Sequence, residues 1–124
     1  MNPDPRIDPN CIFCKIARGQ IPANKVHEDD EVMAFHDIRP QAPVHLLIVP
    51  KAHIATLYDA QPEHQSALGR MLVVAGRLAR ESGAADGFRT IINNGRVGHQ
   101  EVYHVHMHVL GGTEPLGPML SRKR

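Results

Sequence analysis

Three histidines alternate with apolar residues over residues 104–108, which read His-Val-His-Met-His. Alternate residues of a β-strand share one face, so a strand over residues 103–110 would place the three imidazoles side by side. A single histidine on a strand is usually structural, whereas three in register indicate a functional site. One zinc ion cannot hold all three, because the outer two would lie about 13 Å apart and zinc-bound nitrogens lie about 3.3 Å apart.

The middle histidine, His106, is the predicted nucleophile of this site. Imidazole can act as a nucleophile, a base or an acid near neutral pH, and phosphorus is the natural target of that combination. If the backbone accepts a hydrogen bond from its Nδ1–H, the lone pair of the other ring nitrogen is left free for attack. The motif therefore predicts chemistry on a phosphorus atom.

The two cysteines, Cys11 and Cys14, form a second group that could do chemistry. They are too close in sequence to staple a domain, so they indicate a metal or redox pair in a reducing compartment. A thioredoxin-like redox site needs a preceding strand, and here only a polar ten-residue segment precedes the pair. A zinc site needs two further ligands, and two buried free thiols are the remaining alternative.

Turn signals and apolar periodicity predict the elements that must position these groups. Residues 11–18 form a short helix that Asn10 caps and Gly19 ends. The predicted strands are residues 26–28, 31–35, 45–50, 88–92 and 103–110. Pro62 opens one long helix and Gly83 ends it, with a predicted buried face of Leu68, Met71, Leu72, Ala75, Leu78 and Ala79. This order favours an antiparallel sheet packed by helices.

Length and composition limit the classes of function. A chain of 124 residues, 42% of them hydrophobic, is expected to form one domain. A formal net charge of +1 provides no broad basic field, so we expect no nucleic-acid partner. Residues 1–10 contain three prolines and no apolar run, which predicts a disordered lead-in rather than a signal peptide. Without an apolar stretch of membrane-spanning length, we expect a cytoplasmic protein with no membrane partner.

On these motifs the chain resembles the histidine triad family, and within it the nucleotide-binding phosphoramidase branch. The sequence HVHMHVLGG at residues 104–112 matches the defining pattern, and AFHDI at 34–38, QAP at 41–43 and HLLIVPKAH at 45–53 match the branch in order and spacing. The resemblance covers residues 11–112. It implies an α+β fold in which an antiparallel meander sheet of about five strands packs with one long and one or two short helices. Residues 11–112 would form this single domain, and residues 113–124 a C-terminal tail.

The resemblance also implies a role for individual residues. His106 would attack the α-phosphorus of a purine nucleotide substrate, and water would then resolve the nucleotidyl-histidine to release a nucleoside monophosphate. His108 would bind phosphate and assist proton transfer, His45 would support the triad, and Asn93 would contact the phosphate or the leaving group. Asp37 would accept both ribose hydroxyls. The apolar residues implied to enclose the base are Phe13, Phe35, Ile12, Ile38 and Leu47.

Family members that carry the cysteine pair resemble a Cys2His2 zinc site, which implies as ligands Cys11, Cys14, His53 and the first triad histidine, His104. Such a zinc would be structural, and no cofactor is implied for catalysis. The resemblance further implies a homodimer with one nucleotide site per subunit. A second apolar patch on the long helix, at Ala67 and Val74, is a candidate for the contact between subunits.

Three features depart from the eukaryotic form of the pattern. Glu101 stands where a serine often contacts phosphate, and His99 stands where glycine is common. A carboxylate repels a phosphate, so Glu101 either points away from the site or meets a cationic part of the substrate. The tail over residues 113–124 lacks the tryptophan of the vertebrate type.

Two other functions remain open at this point. A dinucleoside polyphosphate hydrolase would use the same nucleophile, but its leaving group is a nucleotide rather than an amine. A non-enzymatic nucleotide-binding or metal-binding module would use the same pocket without turnover. The absence of a glycine-rich phosphate loop and of a carboxylate cluster for magnesium argues against a kinase or an ATPase.

Overall fold

Five strands, four of them rich in apolar residues, form one antiparallel sheet in a computed structural model, which describes residues 8–118. The predicted lead-in over residues 1–10 and tail over residues 113–124 therefore lie partly outside the described residues. The strands are β1 (Lys25–Glu28), β2 (Val32–His36), β3 (Val44–Pro50), β4 (Phe88–Ile92) and β5 (Met107–Gly111). The helices are α1 (Ile12–Ala17) and α2 (Gln65–Glu81). The predicted α+β class is confirmed.

The strand order is β1-β2-β3-β5-β4, and every neighbouring pair is antiparallel. The sheet departs from a simple meander because β5 lies between β3 and β4. These two strands consequently run in the same direction, and two such strands need a crossover connection, which α2 provides. The last strand of the chain thus occupies an interior position, where it is paired on both sides.

The strand β3 is buried along its whole length, so helices cover both faces of the sheet. On one face Leu46 and Ile48 pack with residues of α2 such as Met71. On the other face Leu47 and Val49 pack with residues of α1 and its neighbours: Cys11, Phe13, Cys14 and Ile16. The register pairs Leu47 with His108, so the α1 face also receives the third triad histidine.

The helix α2 begins three residues later than predicted, because Pro62 opens a single 3-10 turn that precedes it. Its predicted buried face was wrong at Leu72, which is 61% exposed. Val74 takes a place in the core instead and is only 2% exposed, so it cannot belong to an outer patch with Ala67. The apolar residues that this helix exposes are Leu72 and Val73. In the described part of the chain no helix is long and apolar enough to cross a membrane.

The helix α1 matches the prediction in place but not in its cap. Cys11, rather than Asn10, is the N-cap residue, since its Sγ accepts the N–H of Cys14 at 3.4 Å. Gly19 follows the helix with φ +77, the left-handed conformation expected of a glycine stop. The cap therefore draws the two thiols together at one end of a buried helix.

The predicted last strand began too early. Residues 103–106 are not paired as a strand, and β5 starts only at Met107. The N–H of Val105 donates instead to the carbonyl of Ile54, at 2.7 Å, outside the sheet. His104 and His106 consequently lie before the strand, and only His108 lies within it.

Candidate active site

The triad histidines remain neighbours although two of them precede the strand. The rings of His106 and His108 lie 5.2 Å apart between centroids. Phe13 packs edge-on against both His104, at 5.8 Å, and His106, at 5.1 Å. His106 is 6% exposed and His104 is fully buried. Two of the three imidazoles therefore pack against the Phe13 ring, and the third, His108, packs against His106.

The backbone determines the tautomer of His106. Its Nδ1 lies 2.8 Å from the carbonyl oxygen of His104. Because a carbonyl can only accept, Nδ1 carries the hydrogen and Nε2 keeps its lone pair. A nucleophilic imidazole needs this tautomer, because the lone pair of Nε2 is the one left free for attack.

A chain of hydrogen bonds likewise determines the tautomers of His45 and His108. The N–H of Gln41 donates to Nδ1 of His45, at 2.9 Å, so the hydrogen of His45 is on Nε2. That Nε2 lies 2.9 Å from Nδ1 of His108 and 3.4 Å from Oδ2 of Asp37. Nδ1 of His108 therefore accepts, and its Nε2–H is left as a donor for another group.

Burial keeps these two imidazoles neutral. It lowers the pKa of His45, although the charge of Asp37 opposes the change. Burial also lowers the pKa of His108, helped by His106 and His45, while Asp37 and Glu101 act in the opposite direction. The arrangement thus presents a neutral Nε2–H donor at His108 beside a free Nε2 lone pair at His106.

A cavity of about 510 Å³ opens beside His106 and His108. Its wall is mainly apolar and includes the predicted base-enclosing residues Ile12, Phe13, Phe35, Ile38 and Leu47. Asp37 also lines it, and Oδ1 of this carboxylate accepts the N–H of Arg39 at 2.7 Å. The cavity therefore has an apolar part that suits a base and a polar part that contains the imidazoles and a carboxylate.

Sequence reasoning missed part of this wall, which also includes Ile16, Ile21, Pro22, Ala23, Asn24, His36 and Val102. Ile16 could have been found, because it follows Ile12 by one helical turn on α1. Residues 21–24 lie in a loop, where no periodicity indicates which side chains face inward.

Three predicted contact residues differ in their placement. Glu101 is exposed and is among the residues that line the cavity, and its charge acts on His108, so a contact with a cationic part of the substrate stays a prediction. His99 is exposed and does not line it, and its φ of +63 is left-handed, which accounts physically for a glycine at the corresponding place in the family pattern. Asn93 does not line the cavity either. It follows β4, in which Ile91 pairs with His108.

The four predicted metal ligands form a cluster next to Phe13, whose ring packs against both His104 and His106. Ligand atoms of Cys11, Cys14, His53 and His104 all lie within 4.8 Å of one another. Nδ1 of His104 is 3.3 Å from the sulfur of Cys11 and 3.5 Å from that of Cys14, while Nδ1 of His53 is 3.4 Å from the sulfur of Cys14. Sulfur and nitrogen ligands of one tetrahedral zinc lie about 3.5 Å apart, so the spacing fits this ion.

The protonation chemistry of the cluster also fits a metal. Nε2 of His104 donates to the carbonyl of Pro50, at 2.7 Å, which leaves Nδ1 free as a ligand atom. Burial lowers the pKa of His104 to about 4, so the neutral form needed for ligation prevails. Burial raises the pKa of Cys14 to about 11, and a bound cation is what would favour its thiolate.

Comparison with known proteins agrees with this geometry. The HIT domain family model matches residues 18–115. The purine nucleoside phosphoramidase of Escherichia coli strain K12 is 56% identical over 113 residues, which cover 90% of this chain and 94% of that protein. A HIT family hydrolase from Legionella pneumophila Philadelphia 1 has a TM-score of 0.82 and 50% identity, covering 88% of this chain and 98% of that chain.

A zinc-bound histidine triad family protein from Mycobacterium smegmatis is a further structural relative. It has a TM-score of 0.73 and 35% identity, and the match covers 93% of this chain and 82% of that chain. The family model begins one residue after α1, extends through β5 and includes the whole triad. By its motif, its fold and these matches, the chain belongs to the histidine triad (HIT) family.

Proposed function

We propose that this protein is a purine nucleoside phosphoramidase, which hydrolyses the P–N or acyl-phosphate bond of an adenylated substrate and releases a nucleoside monophosphate. The observation that carries the proposal is the hydrogen bond from Nδ1 of His106 to the carbonyl of His104, which aims a free Nε2 at the polar part of the cavity. The 56% identity to the Escherichia coli purine nucleoside phosphoramidase supports the reaction class.

The proposed reaction has two steps. Nε2 of His106 bonds to phosphorus while the P–N bond breaks, and the leaving amine departs with a proton taken from solvent. The Nε2–H of His108, whose ring lies 5.2 Å from that of His106, would donate a hydrogen bond to the phosphoryl group during this exchange. Water then attacks phosphorus and the bond to His106 breaks. One proton of that water returns to solvent, and its oxygen leaves with the nucleoside monophosphate. The nucleophile and the hydrogen-bond donor are both imidazoles of this chain.

Substrate binding would divide the cavity between base and ribose. The apolar wall around Phe13 and Leu47 would enclose a purine ring. Asp37 keeps lone pairs for the ribose hydroxyls, because each carboxylate oxygen can accept two hydrogen bonds and each has one neighbouring donor here. Two further contacts remain predictions. Asn93 would contact the phosphate or the leaving group, and His99 would contact the substrate. A cytoplasmic location fits a nucleotide substrate and cysteines that are not joined in a disulfide at Cys11 and Cys14.

Replacing the nucleophile tests the proposed function. We expect His106→Ala to lower turnover of an adenosine phosphoramidate by at least about a thousandfold and to leave AMP affinity nearly unchanged, since binding depends on other residues. Rapid acid quench should recover a covalent nucleotidyl adduct from the wild-type protein and none from the variant. His64→Ala, which changes a histidine outside the cavity, should remain active. Residual turnover of His106→Ala within tenfold of the wild type would remove His106 from this role.

A substrate panel separates the proposal from the two alternatives. The panel contains an adenosine phosphoramidate, an aminoacyl-adenylate and a diadenosine polyphosphate. Preference for the polyphosphate would favour a dinucleoside polyphosphate hydrolase. Binding of AMP without turnover of any of the three would favour a non-enzymatic module.

The neutral state of His45 and His108 predicts a pH dependence. Their pKa values are lowered in the folded protein, whereas the unfolded chain has the ordinary value of about 6.5. As the pH falls below about 6.5, the unfolded chain therefore takes up protons first, and the free energy of unfolding should decrease. Denaturant titrations between neutral pH and pH 5 measure this slope, which should be shallower in His45→Asn. Stability that rises on acidification in this range would contradict the assignment.

The carboxylate of Glu101 should favour cationic leaving groups. It lines the cavity with His108, and attraction to an exposed cation is worth about 1 kcal/mol or less, which is about fivefold in rate at most. Adenosine lysyl-phosphoramidate should therefore have a higher kcat/KM than an uncharged alkyl analogue, and Glu101→Ser should narrow the ratio severalfold. Glu63→Ser, at an exposed position outside the cavity, serves as the control. An unchanged ratio in Glu101→Ser would discard this role and leave the phosphoramidase proposal intact.

A structural zinc is proposed at Cys11, Cys14, His53 and His104, on the donor spacing and on the zinc-bound family member from Mycobacterium smegmatis. It would join α1 to the segment that precedes β5. Elemental analysis of protein purified without chelator should find about one zinc per chain. Cys14→Ser should lose most of it and His64→Ala should not. Less than about a tenth of an equivalent in the wild type would favour free thiols instead.

A homodimer is proposed through the exposed face of α2 and the neighbouring edge strand. Leu72 and Val73 are 61% and 71% exposed, and Phe88 on β4 is 43% exposed. Within residues 8–118, β4 is paired on one side only, and an apolar edge strand is a template for another chain. Light scattering at micromolar concentration should give twice the chain mass of 13.7 kDa, and Val73→Glu should shift it towards one chain. A wild-type mass near 13.7 kDa would contradict the dimer.

A further inference from the structure

Gln100 is a buried polar residue to which neither the motif nor the proposed reaction assigns a role. It is 7% exposed, and its carboxamide makes three hydrogen bonds. Nε2 donates to the carbonyls of Ala55, at 2.7 Å, and Val102, at 2.9 Å, while Oε1 accepts the N–H of Gly95 at 2.8 Å. One side chain thus connects three separate backbone segments.

Two of these segments hold the nucleophile in place. Residues 103–106 lack strand pairing, so few hydrogen bonds position their backbone. The N–H of His104 donates to the carbonyl of Val102, at 2.9 Å, and the N–H of Val105 donates to that of Ile54, at 2.7 Å. Gln100 joins Val102 to Ala55, the residue after Ile54, and therefore fixes the distance between the two acceptors on which this segment depends.

The third segment makes Gln100 a rigid support. Besides the side-chain bond to the N–H of Gly95, the N–H of Gln100 donates to the carbonyl of Gly95 at 3.0 Å. The loop between them is tight, since a Cβ at Gly98 would clash with the carbonyl oxygen of Asn94. The carboxamide therefore extends from a closed loop and does not move independently of it.

We propose that Gln100 is a positioning residue for the nucleophile, an inference that rests on the proposed function. Through Val102 and Ala55 it holds the backbone of His104, whose carbonyl accepts the Nδ1–H of His106. Loss of its two donor bonds would release residues 102–104 and let the His106 ring turn or change tautomer. The larger effect should fall on catalysis and the smaller one on nucleotide binding, since Gln100 does not line the cavity and Val102 is the one residue of 102–104 that does.

The test compares Gln100→Ala and Gln100→Met with Thr56→Val. Thr56 is a suitable control because it is 8% exposed, hydrogen-bonded to Asp59 and adjacent to Ala55, but has no bond to the histidine segment. All proteins are assayed on an adenosine phosphoramidate at a temperature where each is folded. We expect kcat to fall about tenfold to a hundredfold in both Gln100 variants, with AMP affinity within about threefold of the wild type. Thr56→Val should keep kcat within about twofold of the wild type.

The imidazole nitrogen resonances of His106 provide a readout that does not require turnover. The wild type should show a single tautomer with hydrogen on Nδ1, whereas the Gln100 variants should show a mixture. Unchanged kcat, or a kcat loss equalled by Thr56→Val, would overturn the positioning role, as would an unchanged tautomer. If the wild-type protein cleaves no phosphoramidate, the proposed function fails, and the tautomer measurement still decides the role of Gln100.

Discussion

The structure of the site depends on one hydrogen bond, from Nδ1 of His106 to the carbonyl of His104. Without it, a neutral imidazole could carry its hydrogen on either nitrogen, and only one of the two tautomers presents a lone pair to the cavity. The geometry of the bond depends on the position of the His104 backbone. His104 is held by hydrogen bonds from its Nε2–H to the carbonyl of Pro50 and from its backbone N–H to the carbonyl of Val102. Its Nδ1 also contacts the sulfur of Cys11.

The sheet positions the groups around this bond, although His104 and His106 themselves precede β5. β3 is buried on both faces and pairs with β5 in a register that brings Leu47 opposite His108. α1 packs on the same face and contributes several residues to the cavity wall. The helix also provides the Phe13 ring that packs against His106 and the Cys14 sulfur beside His104. A displacement of α1 would therefore alter the cavity, the cysteine cluster and the nucleophile together, which couples binding to the geometry of attack.

Local sequence signals predicted most of the helices and strands and the histidine cluster, but not the exact start of β5 or the phase of α2. Alternation found the three histidines, yet their strand begins only at Met107, because the carbonyl of Ile54 rather than a strand receives the N–H of Val105. Helical periodicity placed Leu72 in the core, whereas the phase set by the sheet buries Val74. Gln100 and the loop over residues 21–24 gave no signal, since their roles arise from segments distant in sequence.

Three similar residues acquire different chemistry because each has one ring nitrogen engaged by a different partner. His104 donates from Nε2 to Pro50 and turns Nδ1 to the cysteines, so both of its ring nitrogens are engaged. His106 donates from Nδ1 to a carbonyl, which leaves Nε2 for the attack of the proposed reaction. His108 accepts at Nδ1 from His45 and keeps Nε2–H as a donor. Either nitrogen of a neutral imidazole can carry the hydrogen, so the partner of one nitrogen determines whether the other is a donor or an acceptor. In this way three histidines within five consecutive residues present different ring nitrogens to the cysteines and to the cavity.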